Sequence, residues 1–295
     1  MKIIQHRRIF LGISILLILI SLVSLSLWGL KWGIDFTGGT LIEIEFNKER
    51  PANQAIQESL KDLELGQINI QQADSLGVIM RMKNIDETTH QNILEKLGRE
   101  NIVEKRFETS EPLMGMELKI KSLWAVIFSL LALIIFIAYS FRRVSKPISS
   151  WEYGMAAIIA LSHDVLITCG LFSLLGHFKG IEVGLPFVAA LLTILGYSVE
   201  DTIVVFDRLR DNLLKISWTD AGFEETVNLS INQSIVRCLN TSITTMLTLL
   251  AIFFLGGESI KYFALALISG VFFGTYSSIF IAIPLVVIWY KRRKR

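Results

Sequence analysis

Six apolar runs and one polar insert predict a polytopic α-helical membrane protein with a ferredoxin-like α+β domain between its first and second membrane helices. Each run is long enough to cross a hydrocarbon layer of about 30 Å, which takes about 20 helical residues. The insert alternates strand-like and helix-like patterns in the order β-α-β-β-α-β, that of a split βαβ fold. Composition agrees, since 52% of the 295 residues are hydrophobic and 19% charged. That is more apolar matter than one soluble core of this length needs, which excludes an ordinary soluble enzyme.

The runs are Ile9–Leu30, Leu123–Phe141, Tyr153–Leu175, Val183–Val205, Cys238–Gly256 and Tyr262–Tyr290. The first follows Lys2, Arg7 and Arg8 as a signal peptide would, but it is about 22 residues long and lacks a small-residue cleavage pattern. It reads as a retained helix. The implied domains are residues 1–30, 31–120 and 121–295.

Lys and Arg in the short connecting segments set the orientation, because such segments retain positive charge on the cytoplasmic side. With a cytoplasmic N-terminus, the inner segments hold Lys2, Arg7, Arg8, Arg142, Arg143, Lys146, Arg208, Arg210, Lys215, Lys291, Arg292, Arg293, Lys294 and Arg295. The short outer turns hold only Lys179 and Lys261. Both termini are therefore expected in the cytoplasm and residues 31–120 outside it. The basic tail reads first as a topological anchor, with contact to anionic membrane lipid as the alternative. A net charge of +2 describes no basic surface for nucleic acid, and no nucleic-acid partner is expected.

Within the insert, alternation in Thr40–Phe46 and β-type runs at Ile68–Gln72, Val78–Met82 and Ile102–Phe107 give four strands. Asn53–Leu63 and Asp86–Leu97 carry apolar residues at helical spacing between them. At about 90 residues the insert is large enough to bury a modest core of its own.

Charged side chains inside the apolar runs are the candidates for function, because each costs about 2.5–3.5 kcal/mol at a helix centre. The fourth run contains Glu200 and Asp201. Arg208 marks the end of that run, so Asp201 lies about 10 Å inside it at 1.5 Å per residue. The fifth opens with Arg237, followed on one helical face by Asn240, Thr241, Thr244 and Thr248. Two readings of this stripe stand: it faces protein or a hydrated path with Arg237 beside Asp201, or Arg237 snorkels and the threonines bond their own backbone. The third run carries His163 and Asp164, whose spacing suits a partner of the acid–base cluster better than a metal site. In the sixth, Gly270, Gly274 and Ser278 form a small-residue ridge for close helix packing. Cys169 and Cys238 lack CxxC spacing and read as small core residues. Neither a metal nor a cofactor is expected.

Several of these segments resemble the SecF family of the bacterial SecDF protein-export complex, within the resistance-nodulation-division superfamily. The resemblance is carried by Gly33-Ile34-Asp35-Phe36-Thr37-Gly38-Gly39-Thr40, by His163-Asp164, by Gly196-Tyr197-Ser198 through Asp207-Arg208, and by Ser230-Ile231-Asn232-Gln233-Ser234 leading into Arg237. It covers essentially the whole chain. It implies a non-enzymatic membrane subunit that pairs with a SecD-like subunit beside the SecYEG channel and its ATPase. Such a subunit uses the proton gradient to help draw preproteins out of the channel. By position, the resemblance makes Asp201 the proton-accepting acid and Arg237 its cationic partner, with Asp164, His163 and Glu200 as further relay candidates. Gly33, Asp35, Phe36, Thr37, Gly38 and Gly39 would then lie at the outer membrane surface, the two glycines allowing a tight turn into the first strand. Glu200 departs from the family pattern, which has Asn before the acid, and two adjacent carboxylates that interact titrate as a coupled pair.

Three rival classes are distinguishable. A small-molecule exporter of this superfamily carries two six-helix halves and two large loops, whereas this chain has one of each. An intramembrane aspartyl protease using Asp164 and Asp201 would want Gly-x-Gly-Asp, but Val199-Glu200 precedes Asp201. A passive scaffold would bind SecD and the channel without moving protons.

Overall fold

The computed structural model describes residues 3–73, 75–141, 148–215 and 222–293. Lys2, Arg142, Arg143, Lys146, Lys294 and Arg295 of the charge count lie outside them. The chain divides into two compact units, Met1–Lys31 with Trp124–Arg295, and Trp32–Leu123.

The smaller unit opens with a one-turn helix, α2 (Ile34–Thr37), which follows the long helix α1 (Arg7–Leu27) of the larger unit in the chain. Strand β1 (Gly39–Phe46), helix α3 (Asn53–Ser59), strands β2 (Asn69–Gln72) and β3 (Gly77–Met82), helix α4 (Glu87–Lys96) and strand β4 (Ile102–Ser110) follow. The sheet order is β2-β3-β1-β4 with every neighbouring pair antiparallel. This is the split βαβ arrangement that the element order predicted. Alternation aims Ile42, Ile44 and Phe46 of β1, with Val78, Met80 and Met82 of β3, into a core closed by Ile56, Leu60, Ile93 and Leu94. Asp86 caps α4 by accepting from the Thr89 backbone N–H at 3.0 Å.

The larger unit contains α1, the second half of α5 (Pro112–Ser140), α6 (Ser150–Lys179), α7 (Leu185–Lys215), α8 (Phe223–Leu255), α9 (Glu258–Ser277) and α10 (Ile283–Arg293). Six helical spans are long and apolar enough to cross a membrane. Each overlaps one of the six apolar runs and reaches beyond it at one end or both, while the first helix stops at Leu27, short of the run's Leu30. The second begins at Pro112 and the fifth at Phe223, well before the apolar residues, because amphipathic turns continue each helix past its apolar part. In the fourth, Val183 and Gly184 precede the helix, and Pro186 occupies the first turn, where its missing N–H costs nothing.

Packing follows the small residues. A Cβ on Gly270 would meet Ile194 Cγ1 at 2.1 Å, and one on Gly274 would meet Ser198 Cβ at 3.0 Å. The ridge read from the sequence thus seats α9 against α7 at close range. Between α9 and α10 the backbone widens into a π turn, Ser278–Ala282. Pro284 explains it, since proline offers no N–H to the carbonyl four residues earlier and its ring crowds that carbonyl. A capping box of Ser149 and Glu152 starts α6, and left-handed Gly180 ends it. At one end of the bundle Glu224 accepts from both Arg7 (2.8 Å) and Lys291 (2.6 Å), and Glu152 pairs with Arg293 at 3.3 Å. At the other, Lys31 pairs with Glu182 at 3.5 Å.

Candidate functional site: two buried carboxylates in the bundle

Asp164 on α6 is fully buried. Its Oδ2 accepts from Ser198 Oγ of α7 at 2.6 Å and from Ser277 Oγ of α9 at 2.7 Å, while Oδ1 faces His163 Nδ1 at 2.9 Å. Three donors on one carboxylate satisfy a group that would otherwise be very costly in this setting. If Nδ1 carries the hydrogen in the neutral ring, His163 Nε2 is an acceptor, and that atom is buried without a hydrogen-bond partner among the described residues. The His163 ring lies beside Tyr276, whose hydroxyl donates to the Phe10 carbonyl at 2.9 Å and meets Ser14 Oγ at 3.4 Å. The pair is thereby linked sideways to α1. One turn along α6, Thr168 bonds Ser269 of α9 at 3.3 Å.

Asp201 on α7 is 4% exposed. Its Oδ2 accepts from Thr275 Oγ1 of α9 at 3.0 Å, and the Cys238 thiol of α8 is its second partner. Glu200 points elsewhere and is exposed, as the turn of about 100° between successive helical residues requires. A direct Asp201–Arg237 contact was one of the two readings the sequence left open; among the described residues the carboxylate is bonded to Thr275 and Cys238, and Arg237 acts on it only through space. The same helical turn is the reason. Cys238 occupies the position facing α7, which leaves Arg237 exposed.

The stripe on α8 resolves toward local bonding. Thr241 donates to the Arg237 carbonyl at 3.0 Å, Thr244 to that of Asn240 at 2.9 Å, and Thr248 to that of Thr244 at 3.2 Å. Arg237, Asn240, Thr244 and Thr248 are nevertheless exposed, as are Thr193 and Glu200 on neighbouring α7. They give α7 and α8 each an exposed polar side. Among the described residues no group of three or more His, Cys, Asp or Glu is placed to hold a metal ion.

The Gly33–Gly39 motif lies in the smaller unit. Gly33 caps α2, whose first turn contains Asp35, and Thr37 Oγ1 donates to the Gly33 carbonyl at 3.0 Å. Gly38 (φ +73°) and Gly39 (φ +119°) then turn the chain into β1, the tight turn the sequence suggested. Gly38 fits against Pro112, Gly115 packs on the Phe36 carbonyl, and Lys119 Nζ sits 4.1 Å over the Trp32 ring.

The hydroxyl residues around the two acids, Ser198, Ser277, Thr275 and Ser242, were not singled out from the sequence. For Thr275 and Ser277 the one signal was the run Thr275-Tyr276-Ser277-Ser278, polar residues crowded into the middle of an apolar span; Ser198 stood only within the quoted Gly196-Tyr197-Ser198 segment.

Comparison with known proteins adds the family. The family described as protein export membrane protein SecD/SecF, C-terminal, matches residues 89–292, and the SecD/SecF GG motif matches residues 29–49. Protein translocase subunit SecF of Thermobaculum terrenum is 41% identical, over 97% of this chain and 93% of the relative. That of Anaerolinea thermophila is 36% identical, over 98% and 94%. The crystal structure of SecDF from Thermus thermophilus, a translocon-associated membrane protein, superposes with a TM-score of 0.83 at 32% identity. It covers 99% of this chain, which in turn spans 38% of that one. SecDF in a super-membrane-facing form gives a TM-score of 0.69, also at 32% identity. With six membrane helices, a split βαβ unit and relatives matched nearly end to end, the chain belongs to the SecF family of protein-export membrane proteins.

Proposed function

We propose that this chain assists protein export across the plasma membrane as the SecF-type half of a SecDF-like complex, and that it couples the proton gradient to a late stage of that export. The observation that carries the coupling is the burial of Asp201 and Asp164 within a bundle of membrane spans, held by hydroxyls from neighbouring helices. A carboxylate in such a place is costly when charged and marks an ion path more often than a structural bond. Protonation of Asp201 removes a buried charge, weakens its attraction to Arg237 and changes what Thr275 donates to. The α7, α8 and α9 helices meet at this point, so their packing is what the proton biases. A charge crossing 100 mV gains about 2.3 kcal/mol, enough to shift a two-state equilibrium appreciably.

The polar face of α7 and α8 supports a SecD-like partner. Arg237, Asn240 and Glu200 are poor neighbours for lipid tails, and a second helical bundle laid over them would remove that cost. The SecYEG channel, its ATPase and the translocating preprotein are the further partners of this reading. The charge count supports cytoplasmic termini, as does the gathering of Arg7, Lys291 and Arg293 at one end of the bundle. In this reading the subunit is not an enzyme and residues 31–120 lie outside the cytoplasm.

The test is export of a model preprotein into inverted membrane vesicles containing the whole translocase. With Asp201→Asn the gradient-dependent part of export should vanish while ATP-driven translocation persists. A scaffold would instead lose complex assembly and keep gradient dependence in whatever complex remained.

A further inference from the structure

We propose that Tyr197, Ser242 and Thr275 form a hydroxyl relay that carries protons between Asp201 and the open polar face of α7 and α8. The inference rests on the reading of Asp201 as a proton acceptor and adds the path by which the proton reaches it.

The relay crosses three helices. Tyr197 of α7 donates to Ser242 Oγ of α8 at 3.5 Å, Ser242 Oγ is hydrogen-bonded to Thr275 Oγ1 of α9, and Thr275 donates to Asp201 Oδ2 at 3.0 Å. Ser242 and Thr275 are buried, at 2% and 6% exposure, whereas Tyr197 is half-buried and flanked by exposed Gly196 and Glu200. One end of the chain of hydroxyls therefore meets the carboxylate and the other reaches the uncovered face.

Each inner hydroxyl also has a second acceptor on its own helix. Thr275 reaches the Val271 carbonyl at 3.0 Å, and Ser242 reaches the Cys238 carbonyl at 2.7 Å. A hydroxyl carries one hydrogen and cannot serve both acceptors at once. Turned inward, the hydrogens line up toward Asp201; turned to the carbonyls, they break the line. When the line is complete, a hydronium at the polar face of α7 and α8 gives a proton to the Tyr197 oxygen and the Tyr197 hydrogen passes to Ser242. The Ser242 hydrogen passes to Thr275, and the Thr275 hydrogen passes to Asp201. As many O–H bonds form as break, and the net change is one proton gained by the carboxylate. Rotation of Thr275 and Ser242 through their carbonyl-bonded positions resets the chain.

The link at Tyr197 is the gate, since 3.5 Å is the outer limit of a hydrogen bond. Glu200 and Arg237 bear on Asp201 through space, and the Cys238 thiol bonds it directly. None of these three lies in the line of hydroxyls. Asp164 has a different surrounding. Its donor Ser277 turns to the Gly274 carbonyl at 3.1 Å, and its donor Ser198 is fully buried.

The experiment follows Asp201 protonation by infrared difference spectroscopy after a pH jump, on the full complex in proteoliposomes, with the carboxyl band assigned by its loss in Asp201→Asn. In Ser242→Ala the band should appear about a hundredfold more slowly, the low end of what a positioned proton-transfer group supplies. Tyr197→Phe, which keeps the ring and removes only the hydroxyl, should slow it comparably. Ser242→Thr, which keeps a hydroxyl, should restore the wild-type rate. A wild-type rate in both Ser242→Ala and Tyr197→Phe would overturn the relay while leaving Asp201 as acceptor. Equal slowing by Ser242→Ala and Ser242→Thr would overturn it in favour of packing. A spectrum unchanged by Asp201→Asn would remove the acceptor itself, and the relay with it.

Discussion

Ser198 of α7 donates to the buried carboxylate of Asp164 on α6 at 2.6 Å, and Ser277 supplies the matching bond from α9 at 2.7 Å. This one acid therefore holds three membrane helices. Ser198→Ala should destabilise the bundle by about 1–2 kcal/mol, between the modest worth of most intramembrane hydrogen bonds and the larger cost of under-satisfying a buried charge-bearing group. Unfolding of the purified protein in detergent checks this. The Ser198→Ala/Ser277→Ala double variant should lose more than the sum of the singles, because only then is His163 left as the sole donor.

The contact of Gly170 with Ser21 makes a second case. A Cβ at Gly170 would fall 2.3 Å from Ser21 Cβ and 2.6 Å from its Cα, and the latter is backbone that no rotamer relieves. The same helix pair is joined by Ser24 Oγ to the Gly170 carbonyl at 3.4 Å and by Ser173 Oγ to the Ser24 carbonyl at 3.0 Å. Gly170→Ala should separate α1 from α6 and cost about 1–3 kcal/mol by overpacking. Adding Ser21→Gly should recover part of that loss, measured as a double-mutant cycle on unfolding in detergent.

These two cases mark how far the sequence could be read. Six spans and the split βαβ insert were visible because hydrophobic periodicity reports burial directly, whereas the sequence left Glu200 and Asp201 together as relay candidates and only the structure separates them into an exposed and a buried acid. Ser198, Ser277, Thr275 and Ser242 were not visible as site residues. A helical serine or threonine always has its own carbonyl to bond, as Thr241 and Thr244 do, so only the packing of three helices tells which hydroxyls turn to an acid. The choice between the two readings of Arg237 was open for a related reason. Sequence placed Asp201 and Arg237 at one depth, but which neighbour on α8 faces α7 depends on helix rotation, and that rotation presents Cys238.

The glycine pair gives a third prediction. Gly38 has φ +73° and ψ 169°, a region essentially reserved for glycine, and a Cβ there would lie 2.6 Å from the Pro112 backbone. Gly38→Ala should cost about 1–3 kcal/mol from the backbone conformation alone, with the clash in addition. Hydrogen exchange on the full chain should show faster exchange at the start of β1 and in α2. Spans α6 and α7 should be unchanged.

Acid should act on the smaller unit through Asp86. Hydrogen bonds from the Thr89 side chain and backbone hold the Asp86 carboxyl below its ordinary value of 3.8. A carboxylate lowered on folding contributes stability that is present above the unfolded value and is lost as the pH falls through the lower folded one. Protection of the first-turn amides of α4 should therefore persist to pH 3.8 and decline below it. Asp86→Ala should lose that protection at all pH values and abolish the dependence, as native-state hydrogen exchange would record.

Asp201 is the group proposed to take up the proton, and gradient-dependent export with Asp201→Asn in inverted vesicles tests that role most directly. The variant should assemble with its SecD-like partner and retain ATP-driven translocation while the stimulation by the proton gradient disappears. Stimulation of wild-type size in an assembled Asp201→Asn complex would contradict the account.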